Sequence, residues 1–327
     1  MSSIVTVFGG SGFVGRYIVQ RLAAQGWRVR VAVRRPDEAG FVRTYGAVGQ
    51  VEPVLANIRD EASTRAALLG SEAVVNCVGI LAEAGPQRFD AVQADGPARI
   101  ARLAAEAGVA RLVHLSAIGA DPDSDSGYAR SKALGEDGIL AHFPDAVILR
   151  PSIVFGPEDQ FFNRFAGMAR LSPVIPVVGA HTRFQPVYVG DVAAAAVVAV
   201  NGAAAPGIYE LGGPETESFA MLMARMLRVI QRRRLVLALP FFAARIMATL
   251  LDGLQAVTLG LFRNGLITRD QVRQLARDNV ASGDKPGFEE LGIVPVSMDA
   301  VLGDYLFPFR PYGQYASIKK SASGLRG

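Results

Sequence analysis

The sequence predicts an α/β fold in which a doubly wound parallel sheet is followed by a smaller, mostly helical C-terminal lobe. Three features carry this. Strand-like and helix-like stretches alternate through the first 150 residues, the order that builds a parallel sheet with helices on both faces. Gly9, Gly12 and Gly15 stand at the first strand-to-helix junction. Beyond Arg150-Pro151 the alternation stops, and Pro157, Pro173, Pro176, Gly179 and Pro186 mark a change of architecture.

Ile4 to Phe8 is a short apolar run ending in glycines, as a buried parallel strand would be. Val14, Ile18 and Leu22 recur at helical spacing, and Gly26 closes that helix. Trp27, Val29, Val31 and Val33 alternate with polar or small residues and form a second strand. Val51 to Leu55 is the third. Pro53 cannot donate to a ladder, which places this strand at a sheet edge. Ala73 to Val78 is the fourth strand and Pro97 to Ala107 a helix ending at Gly108. Arg111 to Leu115 is the fifth strand, Tyr128 to Phe143 a helix, and Ala146 to Leu149 the sixth strand. A strand order of 3-2-1-4-5-6 puts the proline-bearing strand at the edge. Asp191 to Val200 reads as a helix rich in alanine and valine, and Gly212-Gly213-Pro214 breaks the chain. The domain reading is 1–155 for a nucleotide-binding domain, with a return near 185–212. Residues 156–309 form a docking lobe over a vestigial substrate region, and 310–327 a tail. The tail loses periodicity, as a segment that is mobile or held by a partner would.

Half of the 327 residues are hydrophobic, a fifth are charged, and the net charge is +4. That describes a globular chain with room for one large domain or two smaller ones. The charges are scattered, so no nucleic acid is expected as a partner, while an anionic lipid surface or an acidic partner stays open. The single cysteine, Cys77, rules out an intrachain disulfide framework and fits a reducing compartment. Within a buried strand its thiol reads as inert core. Strand-like residues from Ile4 leave no room for a leader peptide, so a cytoplasmic or processed chain is expected. No uncharged apolar run of about 18 residues predicts a spanning helix. His114, His142 and His181 lack ligand spacing, and no metal site is expected.

The stretch Gly9-Gly10-Ser11-Gly12-Phe13-Val14-Gly15-Arg16 carries the first chemistry. In a Rossmann-type unit the first glycine makes the tight turn, the second lets backbone approach a pyrophosphate, and the third lets helix and strand pack closely. The helix start then faces the phosphates with free amides and a positive dipole end. NAD-selective sites usually carry an acid at the end of the second strand. Here that strand ends VAVRRPD, with Arg34 and Arg35 in its place and Arg16 after the last glycine. Guanidinium groups suit a 2′-phosphate through bidentate, charge-assisted bonds, so NADPH or NADP+ is expected over NAD(H). The alternative for Arg34 is a solvated surface charge.

GYARSKALGE places Tyr128 and Lys132 four residues apart on one helix face. A free tyrosine, with a pKa of about 10, is a poor acid–base group at pH 7. A nearby ammonium stabilises the phenolate and would lower that value. GGSGFVG, NCVG (76–79), LVHLSA, YARSK, LRPSIVFGPED and QPVYVGDVA (185–193) together resemble the short-chain dehydrogenase/reductase superfamily, in its extended or atypical form. The resemblance implies Tyr128 as the acid–base group, Lys132 on the nicotinamide ribose, and Ser116 as the hydroxyl that polarises a carbonyl. It also adds Asn57, Ile58, Cys77, Val78, Gly79 and Pro151 to the cofactor bed, beside Ser116, Tyr128 and Lys132. Aligning LVHLSA puts Ala117 where the catalytic hydroxyl should stand and Ser116 one position early, which would leave these residues vestigial. A one-residue shift of register restores Ser116. Gln93 stands where members often carry asparagine.

FGPEDQFFNRFA (155–166), LPFFAARIMATLLDGLQ, LITRDQVRQLARDNV and GFEELGIVP look like one branch, the nucleotide-binding accessory subunits of respiratory complex I (NADH:ubiquinone oxidoreductase). That resemblance implies a tightly held NADPH outside the electron path, other subunits of the peripheral arm as partners, and support of assembly and stability close to the membrane. All but four of the 34 basic residues are arginine, so the chain looks bacterial, which implies the cytoplasmic face of the inner membrane. Leu235 to Phe262 is strongly apolar but interrupted by Pro240, Arg245 and Asp252. Spanning would cost roughly 2.5–3.5 kcal/mol per charge. The run is either core of the second lobe or an apolar face offered to a partner or a lipid interface, beside Arg232-Arg233-Arg234. Three functions fit these residues. They are a structural accessory subunit, an active NADP(H)-dependent reductase, epimerase or dehydratase using Tyr128 and Lys132, and a sensor of the NADPH/NADP+ ratio.

Overall fold

The apolar runs of the first half become strands of one sheet in the computed structural model, which describes residues 3–257 and 267–313. In chain order the first half contains β1 (Ile4–Phe8), α1 (Phe13–Ala24), β2 (Arg28–Val33), β3 (Val51–Leu55), α2 (Glu61–Leu68), β4 (Ala73–Asn76), α3 (Asp95–Glu106), β5 (Arg111–Leu115), α4 (Gly127–His142) and β6 (Val147–Pro151). The second half adds β7 (Val154–Phe155), α5 (Phe162–Leu171), β8 (Val174–Val178), β9 (Arg183–Phe184), β10 (Val187–Tyr188), α6 (Val189–Val200) and β11 (Gly207–Leu211). It ends with β12 (Glu217–Ser218), α7 (Phe219–Val229), β13 (Leu235–Leu239), α8 (Phe241–Val257), α9 (Arg269–Gln274) and α10 (Met298–Leu306).

The main sheet runs β11-β6-β5-β4-β1-β2-β3, with every pair parallel. β3, with Pro53, is the edge strand as expected. Alternation along each strand sends side chains to two cores. On one face Val7, Val31, Val75 and Val113 meet Ile18 and Leu22 of α1 and Val192 and Ala196 of α6. On the other, Phe8, Val74 and Leu112 meet Ile100 and Leu103 of α3 and Ile139 of α4. Each fully buried leucine or isoleucine contributes about 1.5–3 kcal/mol of transfer free energy. The reversal of strand order between β1 and β4 opens a crevice at the carboxyl ends of these strands, where α1 begins.

The second lobe has its own core, in which Phe162, Ile175, Leu222, Met226, Leu302 and Leu306 are fully buried. Phe161 stacks on Phe219 with ring centroids 5.4 Å apart. The two-residue pair β7–β10 joins this lobe to the chain leaving the sheet.

Several boundaries depart from the sequence reading. The fourth strand ends at Asn76 rather than Val78, because the Asn76 Oδ1 accepts the Val78 N–H at 3.1 Å and turns the chain out of the ladder. The sixth strand continues to Pro151. α2 was not anticipated; Asp60 caps it by accepting the Ser63 N–H at 2.8 Å. The seventh strand, β11, lies inside the stretch read as a return near 185–212. The apolar run from Leu235 is not one helix. Residues 235–239 form β13, paired in parallel with β8, and Pro240 separates it from α8. Residues 258–262 of that run, and the tail beyond 313, lie outside the described residues. Among the described residues no helix is long and apolar enough to cross a membrane.

Candidate functional site

The glycine loop leaves β1 at Gly9, whose φ of +73° is the left-handed conformation glycine tolerates without cost. Gly9 donates to the Ala32 carbonyl at 3.0 Å and its own carbonyl accepts the Gly12 N–H at 2.9 Å. A Cβ on Gly10 would meet Val19 and Val31 at 3.0 Å. A Cβ on Gly15 would fall against the Gly9 carbonyl oxygen and within 2.8 Å of the Gly10 Cα. Gly12 is the N-cap of α1 and brings no side-chain acceptor, so the first-turn amides remain open for an anion. The cradle fits a pyrophosphate. Phe13 sets its ring edge-on to Tyr17, and partly buried Val14 packs on the sheet core, so these two residues brace the loop with their side chains.

The arginines separate. Arg16 donates to the Ser11 and Gly12 carbonyls, faces Glu158 at 3.4 Å, and stacks over the Phe41 ring at 5.1 Å. Glu158 also accepts the Tyr17 hydroxyl at 2.7 Å, which ties the 155–159 loop to α1. Arg35 points into solvent and pairs with Glu38 at 2.7 Å. Arg34 is exposed at the carboxyl end of β2 and makes no ion pair among the described residues. Of the three arginines, Arg34 alone has no ion pair among the described residues, while Arg16 faces Glu158 and Arg35 is paired with Glu38. The Asn57 Oδ1 accepts the Arg59 N–H at 3.2 Å. Ile58 is buried in the α3 core.

At the other end of the crevice, Lys132 on α4 donates to the Leu115 carbonyl at 3.1 Å and lies against Gly79, where a Cβ would sit 3.5 Å from its Nζ. Two of its three protons have no protein acceptor among the described residues. Burial draws the Lys132 ammonium down to about 8, with Glu136 and Cys77 opposing. Burial pushes the Cys77 thiol up to about 12, so it is an unreactive wall just past β4. Gln93 accepts the Ile80 N–H at 3.1 Å and donates to the Ser131 hydroxyl at 2.9 Å, holding the 77–80 turn against α4. Val78 lies against Gly9, and Pro151 closes β6 beside this turn's end of the sheet.

Tyr128 departs from expectation. Lys132 does not lower its pKa; burial and the nearby Asp270 carboxylate push it up to about 12. The hydroxyl has no hydrogen-bond partner among the described residues, and the ring lies edge-on to Phe89 at 5.9 Å. Asp270, from the LITRDQ segment, caps α4 from outside the helix. Its carboxylate accepts the Gly127 N–H at 2.7 Å, the Tyr128 N–H at 3.3 Å and the Ser126 hydroxyl at 2.9 Å.

The Ser116 hydroxyl is already engaged. It donates to Glu136, and Glu136 is forked by Arg150, with Nε at 2.9 Å and Nη2 at 2.5 Å. Both side chains of the serine–glutamate pair are buried. Arg150 in turn lies 3.8 Å from Glu210 of β11. Glu136 and Asp270 were absent from the sequence reading. Glu136 follows Tyr128 and Lys132 at four-residue intervals on one helix face, which could have marked it. Asp270 comes 142 residues after Tyr128, and no local pattern links them.

The site thus combines a glycine loop with open amides at the start of α1, an exposed guanidinium at the end of β2, and a lysine and a phenol whose hydrogen-bonding capacity is not filled among the described residues. The Ser116 hydroxyl is committed to Glu136. The model of the NAD dependent epimerase/dehydratase family matches residues 5–212. The chain is 34% identical over 319 residues to the mitochondrial "NADH dehydrogenase (ubiquinone) 1 alpha subcomplex subunit 9" of Arabidopsis thaliana, covering 95% of this chain and 79% of that one. It is 34% identical over 216 residues to the ceramide reductase of Caulobacter vibrioides, covering 66% of each. Among solved structures, the NADPH-dependent quinone oxidoreductase QOR2 of Escherichia coli, complexed with NADPH, superposes with a TM-score of 0.69 at 19% identity, over 92% of this chain and 98% of that one.

Proposed function

We propose, for a chain that belongs to the family of the NADH dehydrogenase (ubiquinone) 1 alpha subcomplex subunit 9 and shares the NAD dependent epimerase/dehydratase fold, a role as an NADP(H)-binding accessory subunit of complex I with a structural cofactor. The observation that carries this reading is the capture of Ser116 by Glu136, with Ala117 following it. The hydroxyl that would polarise a substrate carbonyl is committed to a buried ion pair, so a bound dinucleotide has no complete reaction centre to serve. When bound, the dinucleotide offers hydride chemistry, and the residues here favour holding it. The loop 9–15 would hold the pyrophosphate, Arg34 with Arg16 the 2′-phosphate, and Lys132 with Tyr128 the nicotinamide ribose, against Cys77, Val78 and Gly79. Residues 1–155 and 185–212 form the binding domain in this reading, 156–309 the docking lobe, and 310–327 a tail for a partner. The partners are other subunits of the peripheral arm, on the cytoplasmic face of a bacterial inner membrane, and the contribution is to assembly and stability. Membranes from cells lacking this chain should contain incompletely assembled complex I, restored by the wild-type chain and equally by Tyr128→Phe. Complete assembly without the chain, or failure of Tyr128→Phe to restore it, would contradict the reading.

A second reading has a specific observation behind it. Among the described residues the Tyr128 hydroxyl has no hydrogen-bond partner and Lys132 keeps free donors, as an active reductase would need, and a ceramide reductase is among the relatives. Steady NADPH turnover with a carbonyl-bearing lipid or a quinone, lost in Tyr128→Phe, would support it. Bound cofactor that neither exchanges nor oxidises would count against it.

A further inference from the structure

We infer that the outer face of β13 and α8, together with four arginines at the α7–β13 turn, is a docking surface for an anionic phospholipid bilayer. The surface extends the near-membrane placement proposed above with specific residues. It does not depend on bound nucleotide or on the identity of protein partners.

Alternation sorts the side chains of β13. Val236 packs on the lobe core, whereas Leu235 and Leu237 point the other way and are 62% and 45% exposed. Pro176, the partner of Leu237 across the strand pair, is exposed on that face as well. α8 leaves the end of this strand. Its alanines, Ala244 and Ala248, are buried against Val178 and Val272. On its open face Phe242, Ile246 and Leu250 recur at four-residue spacing, with 67%, 59% and 69% exposure. A solvated helix buries its large apolar residues and exposes polar ones. This helix turns Phe242, Ile246, Met247 and Leu250 outward, with Arg245 and Thr249 exposed among them. Single exposed leucines are ordinary, but a contiguous apolar face is a binding surface.

The charge lies at the other end of β13, about 16 Å along a five-residue strand. A depression there is lined by Arg228, Arg232, Arg233 and Arg234 beside Val236. Arg232 donates to the Phe309 carbonyl at 2.7 Å and Arg234 to the Ala169 carbonyl at 2.8 Å, which fixes both guanidiniums without neutralising them. Glu215, Glu217 and Asp299 are paired with Arg225 of the same helix as Arg228. Among the described residues the four arginines have no carboxylate partner.

The two features together select the occupant. A purely acidic partner would leave Phe242, Ile246 and Leu250 in water, and a purely apolar one would leave four cations unanswered at its rim. A second copy brings the same arginines and the same apolar residues, so in a two-fold pair the cations would meet either like charges or apolar side chains and stay unanswered. An anionic bilayer answers both parts, with headgroup phosphates on the guanidiniums and the acyl boundary on the apolar face.

The test is co-sedimentation of the full chain with vesicles of phosphatidylcholine alone and with about 30 mol% phosphatidylglycerol. Binding is expected to the anionic vesicles and to fall steeply in about 0.5 M salt. Each arginine near such a surface contributes roughly 1 kcal/mol, about fivefold, so the exposed pair Arg228→Glu/Arg233→Glu should lose at least about 25-fold. Ile246→Glu/Leu250→Glu should abolish binding while the thermal midpoint and nucleotide affinity stay at wild-type values, which separates docking from folding. No binding to anionic vesicles, equal binding to both vesicle types, or unchanged binding by Ile246→Glu/Leu250→Glu would overturn the inference. So would competition by 20 mM inorganic phosphate at constant ionic strength, which would indicate a site for free phosphate. If vesicles do not bind and the same variants drop out of complex I, the face belongs to a protein partner. Self-association lost in Leu250→Glu without vesicle binding would assign it to a second copy. Vesicle binding by a chain that never copurifies with complex I would leave this surface standing and remove the accessory-subunit reading.

Discussion

Lys132→Met should make the nucleotide-free chain more stable at neutral pH, although it removes a residue at the centre of the site. Lys132 is 5% exposed, makes one hydrogen bond to a carbonyl, and is drawn down to about 8 by burial. Its ordinary value is about 10.4, and a pH unit corresponds to about 1.36 kcal/mol, so the charged form costs the folded state roughly 3 kcal/mol. Losing the bond to the Leu115 carbonyl offsets about 1 kcal/mol of that. The net expectation is a gain of about 2 kcal/mol at pH 7. The direction with pH follows from proton counts. Between about pH 8 and 10.4 the unfolded lysine holds a proton that the folded one has released. The wild-type chain therefore gains stability relative to the variant as pH rises through that window, and the advantage of Met disappears near pH 10.5. Urea unfolding of the apo chain at pH 6.5, 7.5 and 10.5 measures this directly. Saturating NADPH should reverse the order at pH 7, because the ribose hydroxyls take the free ammonium donors in the wild type alone. A variant less stable than wild type at pH 7, or a difference that is the same at pH 6.5 and 10.5, would refute the reasoning.

Further outcomes follow from the same geometry. Arg34→Glu should weaken NADPH at least tenfold while leaving NADH nearly unchanged, and Arg35→Glu should do little, since Arg35 already answers Glu38; fluorescence titration reads both. Gly15→Ala should cost about 2 kcal/mol or more and remove nucleotide binding, because its methyl would displace the Gly9 and Gly10 backbone, whereas Gly26→Ala, at φ +88° in open space, should cost about 1 kcal/mol in thermal unfolding. Arg150→Ala should destabilise by about 3–5 kcal/mol in urea unfolding, since it strands buried Glu136, and Arg150→Ala/Glu136→Leu should recover most of that loss. Asp270→Ala should cost about 1–2 kcal/mol by uncapping α4, and ultraviolet titration should find Tyr128 ionising below the value of about 12 set by burial and that carboxylate.

The sheet was legible because its strands are short, rich in valine and leucine and set between helix-periodic stretches, and because Pro53 marks the edge by chemistry alone. The glycine loop was legible for a similar reason, since Gly15 is forced by a contact five and six residues away. What the sequence did not reveal depends on longer reach. GIYEL, β11, carries too little pattern to declare itself a sheet strand until β6 is there to pair with it. The run after Leu235 has uniform hydropathy, so periodicity could not divide strand from helix, and α8 divides between a buried and an exposed side. Ala244 and Ala248 enter the core, while Phe242, Ile246 and Leu250 do not. The tuning of Tyr128 was misjudged because a Tyr-x-x-x-Lys spacing says nothing of a carboxylate arriving from 142 residues downstream. The fate of Ser116 turned on a buried partner, Glu136, rather than on its register against Ala117.

The most direct test of a structural cofactor is to purify complex I from the source membranes, confirm the subunits by native mass spectrometry, and extract the nucleotides. The account predicts this chain in the complex with one bound NADP(H) per copy, unchanged in amount and redox state after sustained NADH:ubiquinone turnover. Intact complex I without this chain, or a bound nucleotide that is NAD(H) or is oxidised and replaced during turnover, would contradict it.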